Sequence, residues 1–246
     1  MKIFLNKNEI GYLCKLFNIE AKVLFCFEND SKKAGIFDSK IETELIKKNI
    51  LIKINDGSIK AGKDIENLFK LWLDYKNSIK LITDDSYSLQ AVTNSDYVLL
   101  FSQKEDDYVF EFEPKSLLVL INAIKSVALL QEINCKDSYI FTIALDDADK
   151  CFADIEKNET ASIEKVSKLT GVNVDELKSV FKILCDENIE TQSVITESKS
   201  ERLEGLIKIV QVEDCYITFK VIIGEEDRAV IAKGSTNYVL NSMYNF

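Results

Sequence analysis

The clearest structural signal in the chain is YVLLFSQKEDDYVFEF, which occupies residues 97–112. Residues 97–101 and 108–112 are rich in β-branched and aromatic side chains, which favour β-strands. The polar residues between them, 104–107, are typical of the tip of a hairpin. The pattern predicts two antiparallel strands that are apolar on both faces, so each face needs a cover of helices or of a partner.

The segments on either side of this hairpin alternate between strand and helix patterns. Apolar residues at helical spacing predict helices, and short β-branched runs predict strands. A helix is predicted to open at Pro114, because the first turn of a helix tolerates proline, and to run to about Glu132. The other predicted helices cover residues 8–17, 37–45, 65–75, 161–169, 174–186 and 235–246, and the other strands cover 21–27, 50–54, 79–83, 87–92, 139–145, 189–195, 206–212, 215–223 and 228–232.

The two halves of the chain share a pattern. LIKKNI at residues 45–50 matches LCDENI at residues 184–189, and in both copies a predicted helix runs into a predicted strand. We therefore predict a diverged internal duplication, with an N-terminal α+β half at residues 1–135 and a C-terminal α+β half at residues 136–246. The expected fold class is α+β: one joint body of pseudo-twofold duplicated halves, with an antiparallel sheet flanked by helices.

Charge and composition exclude several classes of function. The 246 residues include 31 basic and 41 acidic side chains, so the net charge is −10. Histidine is absent, which excludes Ser-His-Asp catalysis, Cys-His catalysis and histidine-bound zinc. Arg202 and Arg228 are the only arginines. An acidic surface with so little arginine opposes phosphate contacts, so nucleic acid is not an expected partner.

The apolar segments and the cysteines predict a location. The apolar stretch after Met1 is too short for a signal peptide, and the longest apolar stretch, residues 117–130, is too short to span a bilayer. The six cysteines are widely spaced and form no C-x-x-C pair. We therefore expect a cytoplasmic protein with no membrane contact, whose cysteines are reduced thiols packed like small hydrophobic side chains.

Three short motifs suggest chemistry, but none completes a site. GSIKAGKD at residues 57–64 fits the phosphate-binding pattern G-x-x-x-x-G-K, but Asp64 stands where Ser or Thr binds Mg²⁺. We interpret this segment as a hairpin turn followed by a helix start. The acidic residues 146–149 lack the spacing of a calcium loop and are typical of a helix start. Asp84-Asp85 after a strand is too common a pattern to indicate a metal.

These observations predict no metal, no cofactor and no enzymatic activity. No pair of carboxylates stands out among the 41 acidic residues. An active site built from carboxylates or thiols that meet only in the fold stays an open hypothesis, and perturbed acidic residues in a pocket would support it.

Residues 162–195 supply the alternative function. Helix patterns at 162–169 and 174–186 flank a turn at Gly171 and precede strands, which is the order of a winged helix-turn-helix. The alternative is therefore a degenerate winged-helix DNA-binding regulator. Its second helix would enter the DNA groove, and the acidic residues there outnumber the basic ones, which opposes contact with phosphates. The residues concerned are Asp175, Glu176, Asp186 and Glu187 against Lys178 and Lys182.

The order of the elements resembles a known family. A helix at 8–17 leads into a strand at 21–27, and a second helix ends at Lys48-Asn49-Ile50. A short helix, antiparallel strands, a long helix and a diverged second copy follow. This layout, over most of residues 1–246, resembles the EspG family, the cytoplasmic chaperones of ESX (type VII) secretion. The Gly-, Pro- and Arg-rich loops of mycobacterial members are missing here, as we expect of a relative from an AT-rich bacterial genome.

The resemblance implies a fold, a role and a binding surface. The fold is a pseudo-twofold α+β body with a central antiparallel sheet. The role is that of a non-catalytic protein that binds helical secreted proteins and keeps their apolar tips soluble. We expect it to act as a monomer or weak dimer. Strand loops and C-terminal helices are expected to make the contact, and the candidate protein-binding residues are Asp84, Asp85, Ser86, Tyr87, Glu197, Ser198, Lys199, Ser200, Glu201 and Arg202.

Overall fold

The computed structural model describes residues 1–18, 38–82, 87–104, 107–136, 138–199, 203–224 and 226–244, so the strand predicted at 21–27 lies outside the described residues. The α+β class is confirmed, with antiparallel strands flanked by helices. In chain order the elements are β1 (Lys2–Asn6), α1 (Lys7–Leu16), α2 (Asp38–Lys47), β2 (Leu51–Lys53), β3 (Ile59–Ala61), α3 (Lys63–Leu73), β4 (Asn77–Ile82), β5 (Tyr87–Thr93), β6 (Tyr97–Lys104), β7 (Asp107–Pro114), α4 (Leu117–Val127), β8 (Tyr139–Ala144), α5 (Leu145–Lys157), α6 (Ala161–Thr170), α7 (Val174–Cys185), β9 (Thr191–Ser198), β10 (Leu203–Val212), β11 (Cys215–Ile223), β12 (Arg228–Gly234) and α8 (Thr236–Tyr244).

The chain forms two compact units. The first consists of Met1–Lys76 with Asp85–Val119, and the second of Asn77–Asp84 with Leu120–Phe246. Strand β4 therefore belongs to the second unit, although it precedes three strands of the first unit along the chain. The interpretation of residues 1–135 and 136–246 as two copies of one ancestral half stays a prediction.

The first unit is built on strands in the order β1-β7-β6-β5. The hairpin predicted at residues 97–112 is confirmed as β6 and β7, whose register pairs Phe101 with Phe110. Trp72 of α3 packs on both, with ring centroids 5.5 Å from Phe101 and 5.2 Å from Phe110. Helix α3 thus supplies the cover that this apolar face was predicted to need.

The segment with the phosphate-loop pattern has the predicted structure of a hairpin and a helix start. Strands β2 and β3 pair in antiparallel fashion, and Gly57 in the turn between them has φ +83°. The Asp56 carboxylate accepts a hydrogen bond from the Ser58 N–H at 2.8 Å, which closes this turn. Asp64 lies in the first turn of α3, where a carboxylate suits the positive end of the helix dipole.

The second unit has the strand order β4-β9-β10-β11-β12-β8, and helices lie on both of its faces. Phe219 of β11 packs edge-on against Phe152 of α5, with ring centroids 5.2 Å apart. Its neighbour Thr218 points the other way and lies 3.4 Å from Ser242 of α8. Because side chains alternate along a strand, α5 and α8 cover opposite faces. Helices α5, α6 and α7 share the buried core of the first of these faces.

The two units share an order of strand pairing. In the first, the initial strand β1 pairs with the last strand β7, and in the second β8 pairs with β12. In both units the first strand lies beside the last strand, and the two strands that precede the last one follow in reverse order. The orders are β1-β7-β6-β5 and β8-β12-β11-β10. This shared order agrees with an internal duplication, while common descent and the pseudo-twofold relation stay predictions.

Two local features differ from the predictions. Strand β1 was not predicted, because its apolar residues Ile3 and Leu5 alternate with exposed neighbours over only five residues. Pro114 ends β7 rather than opening α4, which begins at Leu117; at the end of a strand the missing N–H of proline breaks no ladder bond.

The predicted state of two cysteines is also wrong. Cys135 and Cys215 form a disulfide within the second unit, with their Cα atoms 5.3 Å apart. The segment that carries Cys135 is held by hydrogen bonds as well. The Thr236 hydroxyl donates to the Gln131 carbonyl at 2.6 Å and accepts from the Ile133 N–H at 2.8 Å. Two cysteines 80 residues apart meet because this segment packs beside the start of β11.

Candidate protein-binding surface

The predicted binding residues fall on two stretches of chain. Asp84, Asp85 and Ser86, together with Ser200, Glu201 and Arg202, lie outside the described residues. Tyr87 begins β5. Glu197 and Ser198, predicted in a connection, are the last two residues of β9, and Lys199 follows in an exposed turn.

The described ends of these two stretches lie at opposite ends of β4. In the register of β4 and β9, Asn77 pairs with Ser198 and Ile82 pairs with Ser193. The first stretch follows Ile82, whereas the second follows Ser198. Five residue steps along a strand span about 16 Å, so the flanks of the two predicted stretches are not neighbours.

Glu197 and Ser198 point to opposite faces of the sheet. Ser198 is buried, with 2% of its surface exposed. Glu197 is half-buried and accepts a hydrogen bond from the Ser78 hydroxyl at 3.4 Å. A partner can therefore reach the side chain of Glu197 but not that of Ser198.

Glu197 borders an exposed apolar surface that was not predicted from the sequence. On the face covered by α5, α6 and α7, the helical cover ends at Lys208, whose ammonium donates to the Leu184 carbonyl of α7 at 2.6 Å. Beyond it, Ile195, Leu206 and Val221 lie directly opposite one another on adjacent strands. We call the following residues the open patch: Ile82, Ile195, Leu206, Val221 and Ile223. Four of them are exposed by 41–56% (Ile82, Ile195, Leu206 and Ile223), and Val221 is half-buried.

The strands under the open patch have their backbone groups in use. Strand β9 pairs with β4 and β10, and β10 pairs with β9 and β11. Strand β11 pairs with β10 and β12. A ligand over Ile195, Leu206 and Val221 therefore meets side chains rather than a free strand edge.

Two glutamates lie at one border of the open patch. Glu197 and Glu204 are directly opposite each other in the register of β9 and β10. Opposed residues on neighbouring antiparallel strands have Cβ atoms about 5 Å apart, and like charges at such positions are destabilising. Across the open patch, Lys80 lies opposite Ile195. The open patch is therefore bordered by the carboxylates of Glu197 and Glu204 at one end and by the ammonium of Lys80 on the side of β4.

Strand lengths explain why this surface was not predicted from the sequence. The predicted strands end at Ile195 and begin at Leu206, whereas β9 continues to Ser198 and β10 begins at Leu203. The alternation in VITES (194–198) was a usable signal, because Ile195 and Glu197 fall on one face and Val194 and Thr196 on the other.

The alternative helix-turn-helix shape is present in the second unit. Helices α6 and α7 flank Gly171, which has φ +76° as the tight turn requires. Asn173 caps α7 by accepting from the Asp175 N–H at 2.8 Å, and the Glu176 carboxylate pairs with Lys233 at 2.9 Å. The strands after α7 are interior strands of the sheet, whereas a wing that reaches DNA needs a hairpin free to project.

Reactive groups do not cluster in the described part of the chain. No cluster of three or more cysteine, aspartate or glutamate side chains in this part of the chain is placed to hold a metal ion. A cleft of about 440 Å³ in the first unit is lined mostly by Phe4, Leu5, Tyr108 and Val109, and by Lys48, which pairs with Glu9. Among the described helices, none has the length and apolar character needed to cross a bilayer.

Comparison with known proteins shows a likeness of fold. Neither a family model nor a curated sequence matches the chain. The fold is similar to the solved structure of the Mycobacterium tuberculosis type VII secretion system chaperone EspG5 in complex with the PE25–PPE41 dimer. The TM-score is 0.58, the sequence identity is 8%, and the likeness covers 99% of this chain and 97% of that chain. At this identity the likeness shows the fold alone: the chain has the fold of the type VII secretion chaperone EspG5.

Proposed function

We propose that this protein is a non-catalytic cytoplasmic chaperone or adaptor that binds helical substrates of a type VII secretion system. The observation that carries the proposal is the likeness to EspG5 over nearly the whole length of both chains. That structure holds a chaperone bound to a PE–PPE dimer, so the fold is known to accommodate such a partner.

The surface of the second unit supports the same role. The open patch exposes several aliphatic side chains together, and contiguous exposed apolar surface is typical of protein-binding sites. A chaperone of this kind needs no catalytic group, because it acts by burying apolar surface of its substrate until export. Residues 84–87 and 197–202 stay our predicted contact stretches, and Glu197 joins the second of them to the open patch.

The test is reconstitution with defined partners. The tagged chain is co-expressed with small helical proteins encoded beside the type VII secretion genes of its host, and the purified material is nuclease-treated. Size-exclusion chromatography with light scattering then measures stoichiometry. We expect one candidate to form a stable complex and to become insoluble without the chain. Failure of every such substrate to bind, in the presence of folded chain, would contradict the proposal.

The same purification tests the winged-helix alternative. The winged-helix hypothesis predicts a complex with duplex DNA that weakens steeply with salt and is lost in the Lys178→Glu and Lys182→Glu variants. Salt-sensitive DNA binding with no protein partner would favour the regulator.

A further inference from the structure

We infer that the open patch seats one amphipathic helix of the partner, with the apolar stripe of that helix on Ile195 and Leu206 and a basic side chain of it between Glu197 and Glu204. The inference rests on the proposed function, because it assigns the substrate-binding site of the proposed chaperone. It concerns the second unit alone, and every residue in it lies on strands β4, β9, β10 and β11.

A helix fits the open patch better than a strand does. Strands β9 and β10, which carry Ile195 and Leu206, are paired on both sides, so a partner cannot extend the sheet there and must pack through side chains. Helices α5, α6 and α7 already cover the rest of the same face. Its apolar side chains are therefore buried by helices elsewhere on the sheet. Adjacent strands are about 4.8 Å apart and a helix with its side chains is about 10 Å across. One helix therefore covers the two strands that carry Ile195 and Leu206.

The charges select a basic partner. Glu197 and Glu204 face each other on neighbouring strands, so a basic side chain of the partner placed beside them is attracted by two carboxylates. Residues 136–246 as a whole carry 13 basic and 21 acidic side chains, so the surrounding field attracts cations too. Lys80 lies on the β4 side of the patch, so the basic residue of the partner belongs on the side of the glutamate pair.

A second copy of the chain fits less well. Two copies joined through this patch bring two glutamate pairs to one interface, and each copy has a net charge of −10. Self-association through the open patch is therefore an outcome of the test that would overturn the inference.

The probe is a pair of synthetic helices of about five turns. Both carry the same leucine stripe on an alanine background. The stripe is flanked by lysine in one peptide and by glutamate in the other. Binding to the full chain is followed by fluorescence anisotropy of the labelled peptide, and its location by a nitroxide on Cys185, the exposed last residue of α7 next to Leu184.

The expected results compare matched variants. We expect the lysine peptide to bind at least about tenfold more tightly than the glutamate peptide, and Leu206→Asp to weaken it by about tenfold or more. Leu169→Asp is the control, because Leu169 is 66% exposed in the same unit but lies on α6. It should leave the affinity unchanged. Glu197→Gln with Glu204→Gln should reduce the preference for lysine without abolishing binding.

Several results would overturn the inference. These are equal weakening by Leu206→Asp and Leu169→Asp, equal affinity for the two peptides, no binding of either, or a dimer that Leu206→Asp dissociates. Ile223→Ser, at the end of β11, replaces Leu206→Asp if the latter does not fold. If a secreted substrate binds the Leu206→Asp variant as tightly as the wild type, the chaperone function stands and the proposed site is wrong. If the chain prefers the lysine peptide but binds no secreted substrate, the proposed site stands and the proposed chaperone function is wrong.

Discussion

The ammonium of Lys48 lies 2.7 Å from the carboxylate of Glu9, a side chain that is only 3% exposed. The same carboxylate accepts from the Asn6 N–H at 2.8 Å, and the Asn6 side chain accepts from the Glu9 N–H at 3.0 Å. This reciprocal pair is a capping box at the start of α1. Lys48 follows the end of α2, so its bond to Glu9 joins two helices that are distant in sequence.

Removal of Lys48 should destabilise the protein. Lys48→Met leaves the Glu9 carboxylate buried without its cation, and we expect the free energy of unfolding to fall by about 2–3 kcal/mol. The control is Lys47→Met, because Lys47 pairs with Glu44 at the same distance of 2.7 Å but on the surface. That change should leave the stability almost unchanged, because an exposed ion pair is screened by solvent. Urea denaturation measures both, and equal losses would show that burial of Glu9 does not matter.

Two glycines should respond to alanine in opposite directions. Gly171 ends α6 with φ +76°, so Gly171→Ala should destabilise by about 1 kcal/mol through backbone strain. Gly11 lies inside α1 with open space where a Cβ would be added. Gly11→Ala should therefore stabilise by roughly 0.5–1 kcal/mol, since alanine favours the helix. Thermal unfolding of the two variants checks the signs, and a common sign would contradict the assigned backbone conformations.

The disulfide should contribute to stability only under oxidising conditions. Cys135→Ser is expected to lower the unfolding free energy by roughly 2–4 kcal/mol, because the bond closes a long loop in the unfolded chain. In a buffer with excess dithiol, wild type and variant should unfold alike. Non-reducing peptide mapping checks the pairing directly. A free Cys135 thiol in oxidised protein, or a Cys185→Ser control that loses as much stability, would argue against it.

The free thiols should differ in reactivity. Burial raises the pKa of Cys14 to about 12 and that of Cys151 to about 12, the latter with help from Asp154 and Asp147. Burial also raises the pKa of Cys185, but this residue is exposed. A raised pKa leaves less thiolate, so near pH 8 only about one in ten thousand of the two buried thiols is reactive.

A disulfide reagent tests this order. In a Cys26→Ser background, which removes a thiol outside the described residues, Cys185 should react first. Cys14 and Cys151 should react only as fast as the chain opens, and Cys185→Ser should remove the fast phase. Rapid labelling of Cys14 in folded protein would contradict its burial.

Local patterns predicted the elements better than the surface. The hairpin of β6 and β7, the strands of the second unit and helices α6 and α7 follow from the periodicity of short segments. The ends of β9 and β10 did not, because pairing with β4 and β11 extends these strands through polar residues. That extension places Ile195 and Leu206 within the sheet. The candidate site was therefore predicted at Glu197 but not at its apolar neighbours.

The α+β class, the order of most helices and strands, and the absence of histidine chemistry follow from the sequence, because these depend on residue types and on spacing over a few turns. The tertiary structure alone decided that β1 pairs with β7, that Cys135 meets Cys215, and that Leu206 is left exposed. Each of these depends on contacts between residues far apart in the chain. Whether an apolar strand residue is buried depends on where the covering helix ends, and on this face the cover ends at Lys208, one row before Leu206.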